Sequence, residues 1–123
     1  INAYFQLAQL YLEKNMKEKL LEVSIMGMLT SVTRIEQILK ERELEYTYKN
    51  FNHFYYLATQ YSDIIAWGIE NKIWQGFFNF GQAMEVNEFT ELAKDVYTQN
   101  VIYSPEEHWQ KTSREKLKRL AEE

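Results

Sequence analysis

Residues 51–80 hold ten of the nineteen aromatic residues in this chain. Plotted at about 100° per residue, as in an α-helix, the apolar side chains of this stretch fall on two opposite sides. One of these sides carries Tyr56, Trp67, Trp74 and Phe78. A surface helix normally has a single apolar stripe. A helix with two apolar sides therefore either lies at the centre of a bundle or has one side covered by a partner.

The second interpretation makes Tyr56, Trp67, Trp74 and Phe78 a candidate partner-binding surface. Trp and Tyr side chains are common anchors of protein interfaces, because they bury a large area and have few rotamers to restrict. Trp67 and Trp74 are seven residues apart, which places them on one side of a continuous helix. The first interpretation makes the same residues part of the core.

The scarcity of turn-forming residues predicts an all-α fold. The chain contains four Gly and one Pro in 123 residues, whereas an all-β fold needs many turns. We expect a single domain over residues 1–123, folded as an antiparallel bundle of five or six helices. The predicted helices span residues 2–14, 16–43, 48–72 with a continuation to 82, 87–100 and 105–121.

A heptad pattern runs through the predicted second helix. Its apolar residues step by four, three, four, three and four positions, which is the spacing of a coiled-coil seam. The seam is also a candidate self-association surface. The apolar residues beside it favour packing inside a bundle, and a dimer seam is the alternative. The seam consists of Leu21, Ile25, Met28, Val32, Ile35 and Leu39.

Several residues predict where helices begin and end. Asn15 is expected to break the chain between the first two helices, and Gly81 to end the third. Asn87 is a candidate N-cap for the following helix. The segment Ser104-Pro105-Glu106-Glu107 has the pattern of a capping box, which predicts that the last helix starts at Pro105.

The first helix carries a large residue, Leu, a small residue and Tyr, at Tyr4, Leu7, Ala8 and Tyr11. This spacing resembles the opening helix of a tetratricopeptide repeat, which makes TPR-like helical hairpins a minor alternative for the fold. The resemblance implies peptide or protein binding in a concave groove. Position 32, where the repeat closes with Pro, is Val, and the regular period of the repeat does not follow. Similar spacings recur at Phe54-Leu57-Ala58-Tyr61 and Phe89-Leu92-Ala93-Val96.

The sequence carries no recognisable catalytic or metal-binding motif. Neither His53 nor His108 has a Glu three residues before it, as a helical di-iron site would require, and neither lies in a nucleophile signature. The chain has no Cys, which excludes thiolate metal sites and disulfides. We therefore expect no catalytic residues, no metal and no cofactor.

Net charge and hydropathy limit the possible partners. A net charge of −4 argues against general nucleic-acid binding, which depends on Lys and Arg contacts to phosphates. No run of eighteen apolar residues is present, so we expect no membrane span in this segment. The absence of Cys and of a signal segment predicts a cytoplasmic location. The chain starts at Ile1 rather than Met, which is consistent with a segment trimmed from a longer protein.

These features predict a non-enzymatic helical interaction or regulatory module. It would bind a protein partner, or a second copy of itself as a homodimer, through the aromatic-rich helix face. The alternative is a small-ligand sensor with an aromatic-lined pocket, in which Tyr55, Tyr56 and Tyr61 orient the ligand.

Overall fold

The structure is a computed structural model that describes residues 2–41 and 49–122. These residues form seven α-helices and contain no β-strand, which confirms the predicted all-α class. The expected count of five or six helices is wrong. The helices are Asn2–Glu13 (α1), Lys17–Glu41 (α2), Phe51–Ala58 (α3), Ser62–Glu70 (α4), Ile73–Val86 (α5), Thr90–Tyr103 (α6) and Glu107–Ala121 (α7).

The long third helix predicted over residues 48–72 and on to 82 is instead divided into α3, α4 and α5. At the first break, Tyr61 is extended, with φ −125° and ψ 119°. The Thr59 hydroxyl donates to the carbonyl of Tyr56 at 2.8 Å, a bond that competes with helix continuation. At the second break, Lys72 is left-handed, with φ 57°. Residue 48 lies outside the described residues.

Two further expected helix boundaries are wrong. Gly81 does not end a helix but lies inside α5, where the Tyr97 ring packs against it. Asn87 ends α5 rather than starting α6, and its side chain donates to the carbonyls of Ala83 and Lys17. These bonds hold the carboxamide at the end of one helix, so it is not free to cap the next.

The last helix starts at Glu107, two residues later than the capping-box pattern predicts. Ser104 precedes Pro105 and adopts φ −56° and ψ 130°, because a residue before proline is driven out of the helical region. Its hydroxyl accepts the Glu106 amide at 3.3 Å and forms a tight turn between α6 and α7. Ser104 is therefore the C-cap of α6 rather than the N-cap of α7.

The α1–α2 hairpin and the α5–α6 hairpin close with the same turn. Asn15 and Glu88 are both left-handed, with φ 56° and 68°. In each turn the amide of the next residue donates to the carbonyl five residues back, at 2.9 Å. This is the Schellman arrangement of a helix C-terminus. The two hairpins are therefore equivalent when Asn15 is aligned with Glu88, which we call the hairpin alignment.

The hairpin alignment changes which segments correspond to the spacing of a large residue, Leu, a small residue and Tyr that begins at Tyr4. The second copy of this spacing begins in α3 and ends at Tyr61, just before α4, and the third begins at Phe89, just before α6. In the hairpin alignment, the first copy in α1 corresponds instead to the α5 residues Phe77, Phe80, Gly81 and Met84.

The helices pack in sequential order, with α3 and α4 added outside that order. Helix α1 packs on α2, α2 on α5, α5 on α6 and α6 on α7. Helices α1 and α7 also both contact α5, which places α5 at the centre. Helix α3 packs on α6, and α4 packs on α5. The arrangement is two stacked hairpins followed by α7, with α3 and α4 inserted between the hairpins along the chain.

Helix α5 is buried on most of its sides, and α1 docks on it through one aromatic ring. Phe5 lies against Gly27 of α2 and Gly76 of α5. A side chain at position 76 would overlap the Phe5 ring, so only glycine allows this approach. The Phe5 contact therefore joins the first hairpin to the second.

Candidate functional site

The predicted aromatic face is distributed over three helices. Tyr56 lies in α3, Trp67 in α4, and both Trp74 and Phe78 in α5. The prediction that these four residues share one side of a continuous helix is therefore wrong. Trp74 is 0% exposed and Phe78 is 5% exposed, whereas Tyr56 is exposed and Trp67 is half-buried.

The buried members of this set pack against other rings. The Trp74 ring lies 5.6 Å from that of Tyr55 and 5.5 Å from that of Phe77, measured between centroids. The Phe78 ring lies 5.2 Å from that of Trp109, on α7. Such contacts are typical of aromatic cores. Trp74 and Phe78 therefore hold the fold together, and a partner would meet only Tyr56 and Trp67.

The predicted seam of α2 is divided between the interior and the surface. Met28, Ile35 and Leu39 are buried, Leu21 and Val32 are half-buried, and Ile25 is 40% exposed. The buried residues of α2 also include one large and three small residues outside the seam, which are Leu20, Ser24, Gly27 and Ser31.

The three tyrosines expected to orient a small ligand have different surroundings in the described part of the chain. Tyr55 is fully buried and donates its hydroxyl to Asn100 Oδ1 at 2.6 Å. Burial raises the pKa of Tyr55 well above its usual range. Tyr56 is exposed, and Tyr61 packs beside the core. The sensor hypothesis stays a prediction.

A groove lies between α1 and α5. Its volume is about 220 Å³, and its lining is Phe5, Gln6, Gln9, Lys72 and Gln75. Three of these five side chains are carboxamides, each of which offers both a donor and an acceptor. We call these five residues the amide groove.

Asn79 continues the same side of α5 one turn beyond Gln75. Its side chain is 5% exposed, and Asn79 Nδ2 finds no hydrogen-bond acceptor within residues 2–41 and 49–122. An unpaired buried N–H group costs about 1–3 kcal/mol, so an acceptor supplied here would be stabilising.

A charged cluster joins α5, α6 and α7. Glu85 accepts a hydrogen bond from the Tyr97 hydroxyl at 2.8 Å and forms an ion pair with Arg119 at 2.6 Å. Lys116 is near both charges, and burial lowers its pKa despite the favourable Glu85 carboxylate. Two cations face one carboxylate, so the cluster has a net positive charge.

Sequence reasoning missed both the amide groove and the charged cluster. Gln6, Gln9 and Gln75 have no spacing that distinguishes them from ordinary surface residues. Glu85 and Arg119 are 34 residues apart in the sequence. This is the length of one tetratricopeptide repeat, whose opening helix α1 resembles. That separation could have suggested their contact.

The described residues contain neither a membrane-spanning helix nor a cluster of metal-binding side chains. No helix there is long and apolar enough to cross a membrane. No group of three or more Asp, Glu or His side chains in those residues is placed to hold a metal ion. The cytoplasmic location stays a prediction.

Comparison with known proteins gives one distant relative and no family. The chain is 24% identical over 97 residues to an uncharacterized protein of Treponema pallidum (strain Nichols). The match covers 79% of this chain and 26% of that protein, so the chain spans about a quarter of the relative's length. No family model matches the chain. No solved structure matches it either.

Proposed function

We propose that the protein is a non-enzymatic helical interaction module that holds an extended segment of a partner polypeptide in the amide groove. The observation that carries the proposal is the lining of the groove, where three of the five side chains are carboxamides. This proposal moves the binding surface away from the predicted aromatic face, because Trp74 and Phe78 are buried.

The stacked hairpins support the proposal. In the hairpin alignment, the second hairpin carries Phe77, Gly81, Ala93 and Tyr97, and Pro105 follows it. This spacing is similar to the large, small, small, aromatic and proline pattern of a tetratricopeptide repeat. Stacked hairpins of this kind expose the first helix of each hairpin along one binding surface. In this chain those helices are α1 and α5, which form the amide groove.

The chemistry of the groove suits a peptide main chain. An extended segment presents alternating N–H and C=O groups, and a carboxamide can pair with both. Lys72, which is exposed at the groove, adds a cation that favours a carboxylate or carbonyl oxygen. The specificity of such a site would come from shape and hydrogen bonding rather than from a single charged contact.

A phage-displayed library of random linear peptides, selected on the purified protein, tests the proposal. We expect enriched peptides whose binding is lost when Gln9→Ala and Gln75→Ala are combined. The matched control is Gln60→Ala, which removes an exposed carboxamide after α3. Circular dichroism checks that all variants fold. The proposal is wrong if no peptide is enriched, or if the enriched peptides bind the groove variant as tightly as the control.

A further inference from the structure

The outer face of the α1–α2 hairpin carries several exposed apolar side chains. Of the ten large apolar side chains exposed in the described part of the chain, five lie on these two helices. We call this set the hairpin face. Its members are Leu7, Leu10, Ile25, Met26 and Leu29, with exposures from 39% to 55%.

The hairpin face is also free of charge. Residues 2–12 and residues 23–33 contain no Asp, Glu, Lys or Arg. The two segments lie side by side, because Tyr4 of α1 approaches Gly27 of α2. Leu7 is one turn along α1 from Tyr4, and Met26 is next to Gly27 in α2. The exposed apolar side chains of the two helices therefore lie in neighbouring segments that contain no ionic residue.

The second hairpin shows what covers such a face. The residues equivalent to Leu7 and Leu10 in the hairpin alignment are Phe80 and Ala83 of α5. Ala83 is fully buried in a cluster with Ala8 and Leu20 of the first hairpin, and Phe80 packs beside that cluster. The equivalent side of α5 is therefore covered by helices, whereas Leu7 and Leu10 of α1 remain exposed.

The opposite end of the stack is charged. Helix α7 exposes Glu107, Lys111, Arg114, Glu115 and Lys118. Head-to-tail stacking of two chains would desolvate these charges against an apolar surface, which is costly. A contact between two hairpin faces buries no charge from residues 2–12 or 23–33, and an isologous contact places the same patch on both copies.

We propose that two copies of the chain associate face to face through the hairpin face. Large exposed apolar patches are typical of such contacts. The contact leaves the central amide-groove residue Gln75 of α5 outside the interface. The two surfaces share α1, because Gln6 and Gln9 of the groove are sequence neighbours of Leu7 and Leu10. Variants of Met26 on α2 and of Gln75 on α5 therefore distinguish self-association from peptide binding.

Sedimentation equilibrium over a range of micromolar concentrations tests the proposal. We expect the wild-type protein to approach twice the single-chain mass of 14.9 kDa. Leu7→Glu and Met26→Glu should each raise the dissociation constant about tenfold or more, because each copy would bury an uncompensated carboxylate. The matched control is Ile102→Glu on α6, where the wild-type side chain is 59% exposed away from the hairpin face.

The control should keep the wild-type dissociation constant. A wild-type protein that remains monomeric at all concentrations overturns the proposal. An equal loss of association in Leu7→Glu and Ile102→Glu, with both variants folded by circular dichroism, also overturns it. Because the chain has no Cys, a second test is possible: Leu7→Cys should crosslink between copies with a flexible bis-maleimide, and Ile102→Cys should not.

Discussion

Asn15 and Glu88 occupy the same left-handed position at the end of the first helix of each hairpin. A left-handed backbone costs a residue other than glycine about 1–2 kcal/mol, and Asn tolerates it better than Glu. We therefore expect Glu88→Gly to raise the free energy of unfolding by about 1 kcal/mol. The greater flexibility of glycine in the unfolded chain reduces this gain. Urea unfolding followed by tryptophan fluorescence measures the change.

The matched controls are Asn15→Gly and Glu18→Gly. The first should be nearly neutral, since Asn already tolerates this conformation. The second should be destabilising, because Glu18 lies in the first turn of α2. If Glu88→Gly lowers the stability as Glu18→Gly does, the turn of the second hairpin is not left-handed.

The buried hydrogen bond between Tyr55 and Asn100 gives a second prediction. Tyr55→Phe removes the donor and leaves Asn100 Oδ1 buried without it, next to an Nδ2 that finds no acceptor among the described residues. We expect a loss of about 1–3 kcal/mol in the free energy of unfolding. Tyr56→Phe, one residue later on an exposed side chain, should change stability by less than about 0.5 kcal/mol. Equal effects in the two variants would contradict the buried bond.

The contact between Phe5 and Gly76 gives a third prediction. Gly76→Ala would place a methyl group within the Phe5 ring and should cost about 1–3 kcal/mol by overpacking. Gly27→Ala should cost less, because its methyl group would stand 3.0 Å from the ring edge. In a Phe5→Ala background the cost of Gly76→Ala should largely disappear. A double-mutant cycle by urea unfolding measures this coupling, and additive losses would rule it out.

The Tyr97 hydroxyl predicts a loss of stability at alkaline pH. Burial, together with the hydrogen bond to Glu85 and its charge, raises the pKa of Tyr97 above its usual range. Above about pH 10 an unfolded tyrosine loses its proton while folded Tyr97 keeps it, so the unfolded state is favoured as the pH rises. Wild-type stability should fall there more steeply than that of Tyr97→Phe. Thermal unfolding across this range checks whether the two curves converge, and parallel curves would exclude a raised pKa.

Local sequence signals predicted those helices whose ends are set by residues of the adjoining turn. Asn15 marked the end of α1, and the helical spacing of the first two segments located α1 and α2. The division near Lys72 agrees with the predicted bounds of 48–72 with a continuation to 82, whereas the break at Tyr61 has no Gly or Pro beside it to indicate it. When a segment has apolar residues on all sides, its pattern does not distinguish one long helix from three short buried helices.

The surfaces were harder to predict than the helices. The buried residues of α2 include Ser24, Gly27 and Ser31, which add little to an apolar pattern. Ile25, in the N-terminal half of the predicted seam, is instead exposed and does not face the interior. The equivalence of the two hairpins was also hidden, since α3 and α4 are inserted between them along the chain.

The insertion of α3 and α4 also affects the order in which the chain can fold. Helices α5, α6 and α7 follow one another with turns of a few residues, so their contacts close small loops. Docking of α2 on α5 must close the segment between Glu41 and Ile73, which has a greater entropic cost. Contacts of low sequence separation form fastest. The C-terminal three helices should therefore form the folding nucleus, and the first hairpin should be the last unit to dock and the first to detach.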